Sequence, residues 1–348
     1  MSTIRWELYP LVASNTMARS WLQIQGNLQL RSKTLDAYGR SLNDYLTFCL
    51  RNTIEPELVT QAHIALYVRD LATRPNPKGA AILRLDTGSG LSNATMKMRI
   101  TVVRLFYDYL MEQQLRPDNP VGRGHYVPGK SFGGMRDRGL RPHYEKLPWI
   151  PSDSEWLRFL ATLKDERLRN QAMLLLAYDG ALRREELVTL EIGDFDVAYR
   201  QIRIRADHAK NGRERIVGYS KVGSRLLEAY LWRRRELSSR PGVLFLSESH
   251  RHFAGPLSLV MWSKIVEGMA SRAGLPRFTT HTPRHLRLTH MARAHLDLHQ
   301  IATYAGHTSL ETTMHYLHLG GVELNDAVSR SLAGFEQWIE TVLGGVTP

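Results

Sequence analysis

The chain has 348 residues, 43% hydrophobic and 23% charged, the composition of an ordinary globular protein with room for two domains. Its 46 lysines and arginines against 34 aspartates and glutamates leave a net charge of +12. Such an excess favours a polyanionic partner such as nucleic acid, because each neutralised phosphate releases a condensed counterion. One cysteine, Cys49, excludes an internal disulfide and a multi-cysteine zinc site, and suits a reducing compartment. Met1 to Ala13 holds no long apolar core of the signal-peptide kind, and no apolar run approaches the ~20 residues that cross a bilayer. The expectation is a cytoplasmic protein with no membrane partner.

Residues 1–120 read as a helical unit. Ser32 is placed to cap a helix whose apolar positions Leu35, Tyr38, Leu42, Tyr45 and Cys49 recur by threes and fours. Thr60 begins a second, with Ile64, Val68 and Leu71 on one side. Ser92 begins a third, carrying Met96, Ile100, Val103, Tyr107 and Leu110. That helix also bears Lys97, Arg99 and Arg104 off its apolar stripe, which makes them candidate phosphate contacts as well as a solvated face. Arg74 to Gly90, rich in proline, glycine and polar residues, reads as a loop.

Residues 121–148 read as a basic linker with six glycines and three prolines. Its Lys130 is a further candidate DNA contact, since a flexible positive segment can follow a phosphate backbone. From Pro151 a second domain begins. Ser154–Leu163 and Leu168–Tyr178 read as helices, the second nearly all apolar and so buried, with Gly180 at its end. Gln201–Ala206 alternates polar and apolar, Arg215–Tyr219 is a partner strand, and Asn211-Gly212 between them signals a tight hairpin turn. Helices resume after Leu226. Beyond Gly320-Gly321, the spacing of Leu324, Val328, Leu332, Phe335, Trp338 and Val342 gives an amphipathic tail helix.

Five stretches carry chemistry, each with an ordinary reading beside it. Arg183 opens a helix and presents a fork of donors suited to phosphate, or simply pairs with Glu186 at i, i+3. Lys210 lies at the hairpin, either solvated or a proton donor to a leaving oxygen. His281 and Arg284, in Thr280-His281-Thr-Pro-Arg284, lie at a helix start where Thr280 or Thr282 is a candidate cap and backbone N–H groups favour an anion. Gly306 ends a helix and delivers His307, after which Thr308-Ser-Leu-Glu311 has the form of a capping box. Tyr316 follows on that next helix, where a tyrosine is ordinarily a packing residue.

The ordered set is what is specific. Arg183, Lys210, His281-x-x-Arg284, Gly306-His307 and then Tyr316, nine residues after that histidine, resembles the tyrosine recombinase, or phage-integrase, family. The strings Ala-Leu-Arg-Arg-Glu-Glu-Leu-Val-Thr-Leu and Gly-His-Thr-Ser-Leu-Glu-Thr-Thr-Met-His-Tyr carry the likeness, which covers Pro151 to about Leu319. Ser32 to Phe48 and Asn119-Pro120 are similar to parts of the family's core-binding domain.

The resemblance implies a mainly α protein with a small antiparallel β-sheet. Its parts would be an N-terminal helical (SAM-like) core-binding domain (1–120), a linker (121–148), an α+β integrase-type catalytic domain (149–319), and a tail helix (320–348) that either docks on its own catalytic domain or, as the resemblance favours, is passed to a neighbouring protomer. It implies a site-specific DNA recombinase acting in integration, transposition or resolution, without metal or other cofactor, on double-stranded DNA with specific sites, as a homo-oligomer, a tetramer on two sites. Arg183 and Arg284 would clamp the scissile phosphate. His281 and His307 would bond its nonbridging oxygens, with His281 a candidate acceptor of the tyrosine proton. Lys210 would be the general acid and Tyr316 the nucleophile that leaves a 3′-phosphotyrosine, while Glu186 orients the arginine helix. Alternatives are a type IB topoisomerase-like enzyme, a DNA-binding protein without catalysis, and a zinc protein built on the crowded histidines His281, His285, His290, His295, His299, His307, His315 and His318.

Overall fold

The computed structural model describes residues 4–74, 91–122, 148–209, 212–310, 312–314 and 316. The linker from 123 to 147 with Lys130, Lys210 itself, most of the 74–90 loop and the tail from 317 onward lie outside the described residues. The chain divides into two compact units, Met1–Glu145 and Lys146–Pro348, each with a hydrophobic core of its own.

The first unit packs α1 (Pro10–Ser14), α2 (Thr16–Asn27), α3 (Ser32–Arg51), α4 (Gln61–Thr73) and α5 (Asn93–Glu112) around Trp21, Leu42, Tyr45, Tyr67, Phe106 and Tyr107. Thr60 and Ser92 cap α4 and α5 as expected, accepting from the backbone N–H of His63 and Thr95. Ser32 does not cap α3: it is the first helical residue, and the Arg31 carbonyl opens the helix by accepting from Thr34 and Leu35. The buried Tyr45 hydroxyl lies 2.7 Å from that of Tyr107, which donates to the Pro56 carbonyl, so the phenols in this core satisfy one another. Asn119 closes the unit, donating to the Arg104 carbonyl and to Asp108 and accepting from Val121 N–H.

The second unit begins with α6 (Asp153–Ala161), one residue earlier than its apolar spacing suggests, because Ser152 and Glu155 form a capping box. Then come α7 (Leu168–Asp179), α8 (Arg184–Val188), β1 (Phe195–Asp196), β2 (Gln201–Ile204) and β3 (Arg215–Gly218). The remaining described helices are α9 (Lys221–Leu237), α10 (Leu259–Arg272), α11 (Thr282–Arg293) and α12 (Leu298–Ala305). The antiparallel sheet runs β1-β2-β3, one short strand more than the sequence suggests, with Ile202 opposite Val217 and Ile204 opposite Arg215. No two-residue turn joins β2 to β3. The connection runs from Arg205 to Glu214 and begins with a turn in which the His208 and Ala209 N–H groups donate to the Arg205 carbonyl, while Gly212 takes a left-handed φ of 63°. Buried α7 packs against α9 and α11, and the core around it holds Phe159, Leu176, Tyr230, Phe245 and Trp262. Among the described residues no helix is long and apolar enough to cross a membrane.

Candidate active site

Two helix ends build the site. Helix α7 stops in a turn where Ala181 N–H donates to Tyr178 and Leu182 N–H to the Ala177 carbonyl. The left-handed residue there is Ala181, at φ 47°, not Gly180. At 180 a Cβ would stand 3.0 Å from both Leu182 Cδ2 and Val217 Cγ2, so any larger residue would press on those two side chains. Helix α12 ends in the same kind of turn, with Gly306 at φ 63° and His307 N–H donating to the Ala302 carbonyl. Each turn leaves carbonyl oxygens without helical partners at the negative end of a helix dipole, and guanidinium groups fill them.

Arg284, buried on α11, donates from Nη1 to the Ala181 carbonyl (2.5 Å) and from Nη2 to the Ala305 carbonyl (2.6 Å). Arg183, at the N-cap of α8, donates from Nη2 to the Gly306 carbonyl (3.1 Å) and from Nη1 to Glu186 (2.9 Å). The Arg183–Glu186 pair is thus real but not a surface pair: the Glu186 side chain is fully buried, 0% exposed. Its oxygens also accept from both terminal nitrogens of Arg215, at 3.0 and 2.6 Å, and from Arg183 N–H at 2.8 Å. Burial alone would raise the Glu186 carboxyl, but the hydrogen bonds and charges of Arg215 and Arg183 override it and hold the pKa at about 2.

His307 and His285 are held neutral. Nε2 of His307 accepts from Arg284 Nη2 at 3.0 Å, so the ring proton sits on Nδ1 and donates to Thr313 Oγ1 at 2.8 Å. Burial, then Arg284 and Arg183, pull the His307 pKa down to about 3. Burial, then His281 and Arg284, take His285 to about 4. His281 stands at the N-cap of α11 with no side-chain cap bond; the residue is open to solvent, and partial desolvation of its ring, then the charges of Arg184, Arg284 and Arg183, lower its pKa. Neither Thr280 nor Thr282 takes the N-cap; Thr282 Oγ1 instead accepts from Thr279 N–H.

The carbonyl of Leu310, accepting from Thr313 and Met314, opens the turn that leads to Tyr316; the expected Thr308–Glu311 box falls partly outside the described residues. Tyr316 is buried, 4% exposed, and its hydroxyl lies 2.8 Å from Nδ1 of His285 rather than from His281. Its ring is nearly parallel to that of His307, with centroids 6.2 Å apart. Burial raises the phenol's pKa, while Arg284 and Arg183 pull the other way. Burial and Arg183 likewise lower Arg284 to about 9. Crowded guanidiniums and neutral imidazoles beside one buried carboxylate make a site short of negative charge, which an anion would relieve.

A cleft of about 270 Å³ opens beside Arg183 and His307, lined also by Arg213, Glu214, Arg215 and His299. Ala209, next in the chain to Lys210, lines it too. His290 is bonded to Tyr178 at 2.7 Å, and among the described residues no group of three or more His, Cys, Asp or Glu could hold an ion. In the first unit, Lys97 is exposed, whereas Arg99 pairs with Asp44 at 2.9 Å and Arg104 donates to the Val121 carbonyl at 3.2 Å. Those two guanidiniums are engaged internally, which the helix-face pattern alone does not reveal.

Residues 152–321 match the phage integrase family model. The chain is 28% identical over 304 residues to the tyrosine recombinase XerD of Oceanobacillus iheyensis, covering 85% of this chain and 91% of that one. It is 29% identical over 295 residues to the tyrosine recombinase XerC of Herpetosiphon aurantiacus, covering 83% of this chain and 86% of the other. The fold is shared with the XerH site-specific recombinase in its post-cleavage complex with difH substrate, at a TM-score of 0.63 and 20% identity over 85% of this chain and 79% of that one. It is shared also with the Tn1549 transposon integrase in complex with circular intermediate DNA, at a TM-score of 0.62 and 14% identity over 89% of this chain and 94% of that one. Fold, site and relatives together define a tyrosine-type site-specific recombinase. The chain belongs to the tyrosine recombinase, or phage integrase, family.

Proposed function

We propose that the cleft holds a DNA phosphodiester and that Tyr316 attacks it. The observation that carries this is the convergence of Arg183, Arg284, His307 and Tyr316 on the two helix ends at Ala181 and Gly306. Attack forms a bond from the Tyr316 oxygen to phosphorus and breaks the bond from phosphorus to the 5′ oxygen. The phenolic proton passes to the histidine pair, His285 at hydrogen-bond distance and His281 at the exposed edge. Lys210 gives a proton to the departing 5′ oxygen. Arg183 and Arg284 stabilise the charge that grows on the nonbridging oxygens, His281 donates to one of them, and His307 joins them once its proton moves from Nδ1 to Nε2. Because the phosphotyrosine keeps the energy of the broken diester, a second 5′ hydroxyl can reverse the step and rejoin a strand. Attack requires the phenol to exchange its bond with His285 for the phosphate.

In this reading residues 1–120 grip double-stranded DNA, with Lys97 and Lys130 as phosphate contacts, and 149–319 cut it at specific sites in the cytoplasm. Assembly is as a tetramer on two sites, with the stretch from Leu324 to Val342 passed between protomers. Support for the assembly comes from the family likeness and from the amphipathic spacing of that stretch. The test is a pool of random-sequence duplexes, nicked mid-way so that cleavage releases a short fragment. Protein-linked DNA is captured under denaturing conditions and sequenced. Wild-type protein should yield linked DNA enriched in one sequence and Tyr316→Phe none, with undiminished binding. An equal yield from Tyr316→Phe would remove the nucleophile assignment.

A further inference from the structure

Arg215 lies on β3 in the wall of the cleft, and none of the chemistry above uses it. Its guanidinium is buried, and three of its N–H groups are committed: one each to Glu186 Oε1 and Oε2, and one from Nε to the Tyr304 carbonyl at 3.0 Å. We propose that Arg215 is a positioning residue for strand cleavage, fixing Arg183 through Glu186 on one side and Gly306 on the other. This rests on the function proposed above.

Two independent contacts support it. Each Glu186 oxygen is shared between one donor of Arg183 and one of Arg215, so the carboxylate bridges the two arginines. The second anchor of Arg183 is the Gly306 carbonyl, and Gly306 lies directly on Arg215. A Cβ at 306 would fall 3.1 Å from Arg215 Nη1, 3.2 Å from Cδ and 3.3 Å from Cζ. Both supports of the Arg183 fork therefore end on one buried side chain. Because the Tyr304 carbonyl belongs to α12, Arg215 also ties the sheet to the helix that delivers His307. A buried ion pair is a poor way to gain stability, since packed apolar side chains serve as well. Its value is in geometry, and the geometry here is that of a phosphate-facing arginine.

The cations facing Glu186 are Arg183 at the start of α8, Arg215 on β3 and Arg284 on α11. Without Arg215, burial dominates and the Glu186 carboxyl titrates higher; once protonated, it releases Arg183. The experiment uses the full chain and a nicked duplex of the sequence that the wild type selects from the random pool, following single-turnover adduct formation from pH 6 to pH 8.5. Arg215→Met should bind this DNA as wild type does, yet cleave at least tenfold more slowly at pH 8. It should also lose further rate toward pH 6 through an acid limb that the wild type lacks. Adding Glu186→Gln to Arg215→Met should abolish that limb while leaving cleavage slow, and Arg215→Lys should recover part of the rate. Wild-type cleavage by Arg215→Met, or a slow rate with the wild type's pH profile, would overturn the proposal. If Arg215→Met does not fold, the same judgement falls on Arg215→Lys, which must show a smaller defect of the same pH form. Absence of any adduct from the wild type would instead overturn the parent proposal.

Discussion

Acid should loosen the catalytic unit unless an anion fills its cleft. His307 and His285 are depressed to about 3 and about 4, by burial first and by neighbouring cations second. Their neutral forms are therefore the ones the folded chain favours. In the unfolded chain they titrate near the ordinary value of about 6.5. Above that pH both states are neutral and nothing is lost; as the pH falls from about 6.5 toward 4, the unfolded chain takes up protons that the folded chain refuses. At pH 5 the linkage amounts to about 2 kcal/mol for each histidine, against a whole-domain stability of roughly 5–15 kcal/mol. The assay is urea denaturation of the full chain at pH 7.5, 6 and 5, with and without sulfate or short duplex DNA. The midpoint should fall with pH, the anion should flatten the fall, and His285→Gln with His307→Gln should remove most of it. An identical pH slope in that double variant would refute the linkage.

What was legible in the sequence was local. Thr60 and Ser92 cap their helices because a short oxygen beside a 3.6-residue pattern needs no distant partner. The alternation of Gln201 to Ile204 gave β2 for the same reason, with Ile202 and Ile204 buried and their neighbours exposed. Of the ordered set, Arg183, Arg284 and His307 meet at the two helix ends and Tyr316 stacks beside His307, while Lys210 lies outside the described residues. Hidden from the sequence were contacts between residues far apart in the chain. Glu186 and Arg215 are 29 residues apart, and His285 and Tyr316 are 31 apart. His285 looked like a spare member of a histidine-rich stretch, although its position next to Arg284 and four residues after His281 was a signal that it shares their helix face or flank. Arg99 looked like a free cation because Asp44 lies on another helix. The left-handed Ala181 was concealed by the adjacent glycine, which is where such a turn is normally sought.

Gly306→Ala should cost about 1–2 kcal/mol in thermal stability for the left-handed backbone alone, and lower cleavage further by displacing Arg215. A variant that melts and cleaves as wild type does would contradict the role given to that turn. Ser152→Ala, which removes the cap of α6 away from the site, should cost about 1 kcal/mol in a urea melt and leave the cleavage rate unchanged. Lys210 follows in the chain on Ala209, which lines the cleft that Arg183 also lines. In the role proposed for Lys210, its proton is needed only when the leaving oxygen is strongly basic. Replacing the 5′ bridging oxygen by sulfur gives a leaving group that departs without a proton. Lys210→Ala should therefore cleave the natural duplex at least a hundredfold more slowly than wild type, a loss typical of general acids, and the sulfur duplex at nearly the wild-type rate. Equal defects on both duplexes would show that Lys210 serves binding or folding, and the proton donor would have to be sought among the other groups lining the cleft, with Arg213 and His299 the first to replace.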